Sequence, residues 1–77
     1  MKEVEPQNDM ILKVKFENGV TKLIDIKQYI NIFKPFKKLK NKDLFSQAKL
    51  DVGGYGIVWN EEIDLGRYAI WEDGKTI

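Results

Sequence analysis

The segment Met10-Ile11-Leu12-Lys13-Val14-Lys15-Phe16 alternates apolar with basic side chains, putting Leu12, Val14 and Phe16 on one side and Lys13 and Lys15 on the other. A period of two belongs to a strand with one buried and one wet face. Glu17-Asn18-Gly19 follows, and Asn-Gly tolerates the positive φ of a tight reversal. Val20-Thr21-Lys22-Leu23-Ile24-Asp25-Ile26 then returns, rich in β-branched residues. An antiparallel hairpin over residues 10–26 is therefore expected. Val4-Glu5-Pro6 adds a short strand before it, confined to an edge because Pro6 has no amide to donate.

Beyond the hairpin, Ile26, Tyr29, Ile30 and Phe33 fall at i, i+3, i+4 and i+7, one face of a short helix with Asp25 as its cap and Pro35 as its end. Phe36 and Leu39 anchor an otherwise basic loop over residues 34–42, and residues 41–47 read as helical turns with Leu44 and Phe45 turned inward. Ala48, Leu50 and Val52 alternate with Lys49 and Asp51, Gly53-Gly54-Tyr55-Gly56 makes a turn, and Ile57-Val58-Trp59 completes a second hairpin over residues 48–59. Asp64 reads as the cap of a last helix running through Glu72, with Leu65, Tyr68 and Ala69 facing the sheet, a staple between Ile63 and Tyr68, and Gly74 closing the helix. The expected fold is a single α+β domain over residues 1–77, an antiparallel sheet with short helices on one side.

At 77 residues the chain makes one domain, and a domain of this size buries only about 60% of the surface its unfolded chain exposes. Small domains commonly compensate with disulfides, a metal or a partner. The chain has no Cys and no His, so disulfides and the usual zinc and transition-metal ligands are excluded, no cofactor is indicated, and a partner surface is left. The lack of Cys fits a reducing compartment and a cytoplasmic location. No stretch reaches the about 20 apolar residues that a membrane-spanning helix needs.

Net charge is +1, but it is zoned: four Lys stand against five acids in residues 1–26, seven Lys against one acid in 27–49, and two basic residues against six acids in 50–77. Lys34, Lys37, Lys38, Lys40 and Lys42, with Tyr55 at the glycine turn, are the candidate partner-binding residues. Direct nucleic-acid binding is not expected. Base and phosphate recognition relies on Arg forks and stacked aromatics, whereas Arg67 is the one Arg and Phe36 the one aromatic set among the lysines.

Nucleophilic catalysis needs a nucleophile and an oriented base. Ser46 is the only Ser and there is no His or Cys, so Ser-His and Cys-His devices are ruled out. Asp51, Glu61, Glu62 and Asp64 offer carboxylates for acid–base work, but each has a plainer job as a solvent-facing strand residue, a turn residue or a cap. Gly53-Gly54-Tyr55-Gly56 lacks the Lys and the following helix of a phosphate loop.

Phe16-Glu17-Asn18-Gly19, Ile24-Asp25-Ile26, Leu44-Phe45, Ile57-Val58-Trp59-Asn60 and Ile63-Asp64-Leu65, in this order and spacing, resemble the small bacterial domain-of-unknown-function family 2442 over about residues 4–70. Asn60 stands where members typically have Pro. The resemblance implies a compact α+β fold and a bacterial cytoplasmic setting, with no established activity. Members are often encoded beside a second small protein, which implies a two-protein module of toxin–antitoxin type. Longer members carry a helix-turn-helix after this domain, and residues 1–77 hold none.

Three functions follow as expectations. The first is a non-enzymatic protein-binding module, the antitoxin-like half of a pair, engaging a small protein or a second copy of itself. The second is a small-ligand sensor whose pocket is lined by Tyr29, Phe33, Trp59 and Tyr68. The third and least favoured is an enzyme acting through Asp51 and Asp64.

Overall fold

The computed structural model describes residues 1–77. Strands β1 (Glu3–Pro6), β2 (Ile11–Lys15) and β3 (Thr21–Asp25) form the hairpin and its edge strand. β2 and β3 pair antiparallel, with Leu12 opposite Ile24 and Val14 opposite Lys22. Leu12, Val14 and Ile24 are sealed from solvent. Gly19, at φ +88°, turns the chain, and the Asn18 side chain accepts from the Val20 amide at 3.1 Å. On the wet face Glu3 lies opposite Lys15 and Glu5 opposite Lys13, opposite charges that favour this register.

Asp25 caps the next segment, accepting from the Lys27 amide at 2.9 Å, but the segment is a 3₁₀ helix of one turn, Ile26–Tyr29. Ile26, Tyr29 and Ile30 are buried as their spacing requires; Phe33 is 49% exposed. The basic stretch expected as a loop is a second 3₁₀ helix, Lys34–Lys40. Pro35 opens this helix, where its missing amide costs no hydrogen bond. Three residues per turn place i and i+3 in one row. Phe36 and Leu39 therefore point inward together, while Lys34, Lys37 and Lys40 share an exposed row. Helix α1 (Lys42–Phe45) follows, with Asn41 accepting from the Asp43 and Leu44 amides and Phe45 buried.

The structure has two sheets where one was expected. Strands β4 (Lys49–Leu50), β5 (Gly56–Val58) and β6 (Asp64–Gly66) make a separate antiparallel sheet in the order β4-β5-β6. The second hairpin forms, but β4 is shorter than its alternation suggested and Val52 is 99% exposed. Asp51 ends the strand: its carbonyl accepts from the Gly54 amide at 3.0 Å and its carboxylate from the Tyr55 amide at 2.7 Å. Gly53 and Gly54 supply the positive φ angles of this turn.

Asp64 does not cap a helix. It begins β6, and α2 (Arg67–Asp73) starts from Gly66. Leu65 is buried through the strand, so its direction says nothing about the helix face, and Tyr68 is 79% exposed. The staple between Ile63 and Tyr68 is therefore absent, and Ile70 is the fully buried residue of α2. Gly74 does end the helix, its amide donating to the Ile70 carbonyl at 3.0 Å. A last strand, β7 (Lys75–Thr76), then pairs with β3 and completes the order β1-β2-β3-β7.

Between the sheets lies one cluster of fifteen buried apolar residues. Lys22 is the one charged side chain turned into it. Its ammonium donates to the Trp71 carbonyl at 2.7 Å and lies 4.1 Å from the centre of the Trp71 ring. That combination of hydrogen bond and ring quadrupole offsets the loss of water.

Close packing at Gly56 contrasts with open space at Gly66. A Cβ on Gly56 would meet the Leu65 carbonyl at 2.9 Å and the Asp51 carboxylate at 3.2 Å, whereas nothing lies within 4 Å at Gly66. Gly56→Ala is expected to cost about 1–3 kcal/mol, the usual range for overpacking. Gly66→Ala meets no clash and should cost less, about 0.5–1 kcal/mol, the loss expected on placing Ala at the N-cap of α2. Urea unfolding followed by circular dichroism separates the two; equal losses would contradict the packing described.

Candidate functional site: a groove beside strand β6

The 3₁₀ helices Ile26–Tyr29 and Lys34–Lys40 and the β6–α2 segment run past each other and leave a groove of about 590 Å³ between them. One wall carries Tyr29, Ile32, Phe33 and Pro35, with Phe36 below; the other carries Leu65, Gly66 and Ala69. Glu62, Asp64 and Asp73 bring carboxylates to its lining. Ile32 is 67% exposed, which together with Phe33 leaves apolar surface open to water.

Two polar bonds join the walls. The Tyr29 hydroxyl donates to the Asp73 carboxylate at 2.5 Å, and the Lys38 ammonium meets Glu62 at 3.0 Å. Because 29 pairs with 73 and 38 with 62, the walls are antiparallel and held at two separated points. Asp64 has no ion-pair or hydrogen-bonding side-chain partner, and Asp73, which accepts from the neutral Tyr29 phenol, has no cationic partner either.

Trp59 and Tyr68 do not line this groove, so the four-residue pocket expected from the sequence is not assembled. Trp59 is 3% exposed, packs against Phe36 and Phe45, and donates its indole N–H to the Phe45 carbonyl at 3.1 Å. It is a core residue. Tyr68 borders a different hollow with Phe16, Arg67 and Trp71. Of the four, Tyr29 and Phe33 line the groove.

The partner-binding candidates are also divided. Lys34, Lys37 and Lys40 form the exposed row of the second 3₁₀ helix, Lys38 is turned to Glu62, and Lys42 begins α1. Tyr55 sits in the β4–β5 turn, its carbonyl accepting from the Arg67 amide at 2.9 Å. Arg67 in turn pairs with Glu17 at 3.4 Å. Asp51 is occupied in its turn while Asp64 faces the groove, and no group of three or more carboxylates gathers where a metal would sit. Asn60 holds the β5–β6 turn by accepting from the Glu62 and Ile63 amides at 2.9 and 3.0 Å.

Ile32, Leu65 and Gly66 were not anticipated as site residues. Two signals pointed to the walls. Phe33-Lys34-Pro35-Phe36-Lys37-Lys38-Leu39-Lys40 repeats apolar-Lys-x at a period of three, the 3₁₀ repeat. Glu62-Ile63-Asp64-Leu65 alternates at a period of two, the strand repeat.

Burial, followed by the hydrogen bond and the negative charge of Asp73, holds the Tyr29 phenol above the ordinary tyrosine value of about 10. Folding thus favours the neutral phenol, and this contribution is complete below the unfolded value near 10 and lost as pH rises from there through the folded value. Tyr29→Phe is expected to lower stability by about 1 kcal/mol at neutral pH. Urea midpoints from pH 8 to 11 should show wild type falling towards the variant. A gap that stays constant across that range would refute the assignment.

Neither the curated proteins nor the solved structures contain a match to this chain. The family model described as protein of unknown function, DUF2442, matches residues 1–76, slightly wider than the resemblance read from the motifs. No helix is long and apolar enough to cross a membrane. With its hairpin, its β5–β6 turn and its two small sheets all inside the matched residues, the chain belongs to the DUF2442 family.

Proposed function

We propose that this chain is a protein-binding module, acting as the neutralising half of a two-protein pair. The observation that carries the reading is the groove: apolar walls left open to water, bounded by carboxylates and bridged by the part-buried Tyr29–Asp73 bond and the exposed Lys38–Glu62 pair. A small monomer gains nothing by exposing Ile32 and Phe33 side by side, and contiguous apolar surface rimmed by polar groups is the usual mark of an interaction site. Its walls are held before anything binds, which reduces the ordering cost of association.

A small-ligand site is the competing reading, since about 590 Å³ lies within the usual range for such pockets. Against it, the groove is open to solvent and bordered by a strand, which suits a segment of polypeptide better than a compact molecule.

Ile32→Asp places a charge on the exposed wall, and Phe33→Asp does so while giving up the ring contacts of Phe33 with Tyr29 and Phe36. Each is expected to abolish recovery of a stoichiometric small protein by the tagged chain from its native host while the circular dichroism spectrum is unchanged. Identical recovery by wild type and both variants would reject the groove as the binding surface.

A further inference from the structure

Resting on that reading, we propose that the groove takes an extended segment of another protein, alternating apolar with Lys or Arg residues, which pairs as an added strand with the free edge of β6.

β6 is the last strand of its sheet, bonded to β5 on one side alone. The Trp59 amide donates to the Ile63 carbonyl and the Arg67 amide to the Tyr55 carbonyl, both at 2.9 Å. In an antiparallel ladder alternate residues point to opposite edges, so residues 63, 65 and 67 face β5 and residues 64 and 66 face away. The Gly66 carbonyl begins α2, as at any N-cap. The Asp64 amide and carbonyl and the Gly66 amide are left for a new strand.

Asp64, Leu65 and Gly66 all line the groove. Successive strand residues point to opposite faces, so a hollow touching three in a row lies along the edge of the strand. Gly66 strengthens the case. Its φ of −72° and ψ of 155° suit any residue, and no atom lies within 4 Å of the position a Cβ would take. Its N-cap position favours Gly over larger apolar residues but suits Ser, Asp or Asn at least as well, and neither φ nor internal packing calls for glycine there. Glycine in a strand often marks the close approach of another backbone.

Charge selects the occupant. Glu62, Asp64 and Asp73 line the groove, and Asp64 has no cationic partner. A second copy pairing edge to edge would bring Asp64 and Glu62 against their own counterparts, an unfavourable meeting of like charges. A basic, apolar-alternating strand meets both the carboxylates and the aromatic wall, the pattern of strand addition in which backbone bonds give affinity and side-chain pockets give selectivity.

The test uses five fluorescein-labelled peptides and the intact chain. They are a ten-residue peptide alternating Lys with Val, the same peptide with Glu for each Lys, the basic peptide N-methylated on the amides of one edge and then of the other, and a helix-forming basic amphipathic peptide. Fluorescence anisotropy is expected to show binding of the Lys-Val peptide that weakens with salt. The acidic peptide, the helical peptide and one of the two N-methylated forms should each bind at least tenfold more weakly. Gly66→Val should fold normally and lose at least tenfold in affinity, and the double variant Glu62→Lys, Asp64→Lys should reverse the preference towards the acidic peptide. Equal binding of both methylated forms, tighter binding of the helical peptide, or no binding of any peptide overturns strand addition. So does a concentration-dependent dimer that Gly66→Val abolishes. These results leave the protein-binding reading to stand or fall on the Ile32 and Phe33 variants.

Discussion

The apolar face of the β2–β3 hairpin is the surface to which everything else is fitted. Leu12, Val14 and Ile24 have no contact with solvent, and full burial of side chains of this size stabilises by about 1.5–3 kcal/mol each. A two-stranded hairpin is marginal alone in water, so that gain exists only because β1 and β7 extend the sheet while the second sheet and the helices cover it. The opposite face, with its Glu–Lys pairs across β1 and β2, stays in water.

Covering that face with so few residues explains the use of 3₁₀ helix. From Ile26 to Phe45 the chain must bury Ile26, Tyr29, Phe36, Leu39 and Phe45 within a short span. A three-residue turn brings Phe36 and Leu39 to the core while the lysines stay outside. Trp59 locks the result, because its ring meets Phe36 and Phe45 and its N–H occupies the Phe45 carbonyl. An indole in that place is fully satisfied and has nothing left to offer a ligand.

The zoned charge of the sequence acquires its meaning through this arrangement. The basic middle segment and the acidic C-terminal segment lie alongside each other as the two walls, joined through Lys38 and Glu62. Most of the lysines face outward from their wall, while the acids at 62, 64 and 73 border the groove. The site is acidic even though it is built beside the most basic part of the chain.

The amino-acid sequence by itself determined the first hairpin, the Asp25 cap, the inward anchors Phe36, Leu39 and Phe45, the existence of the second hairpin and the family. Each rests on local rules: alternation, Asn-Gly chemistry, and the spacing of apolar residues along a few turns. The nearness of Tyr29 and Phe33, which both line the groove, was legible for the same reason. What only the tertiary structure decided was that Asp64-Leu65-Gly66 is a strand, that Trp59 is core, that Tyr68 points elsewhere, and that the walls at 29–38 and 62–73 meet. The local signal at Asp64 is shared by a helix cap and an alternating strand, and pairing with β5 breaks that tie. The walls, by contrast, meet through Tyr29 with Asp73 and Lys38 with Glu62, 44 and 24 residues apart, and no window of neighbouring residues contains both halves of either contact.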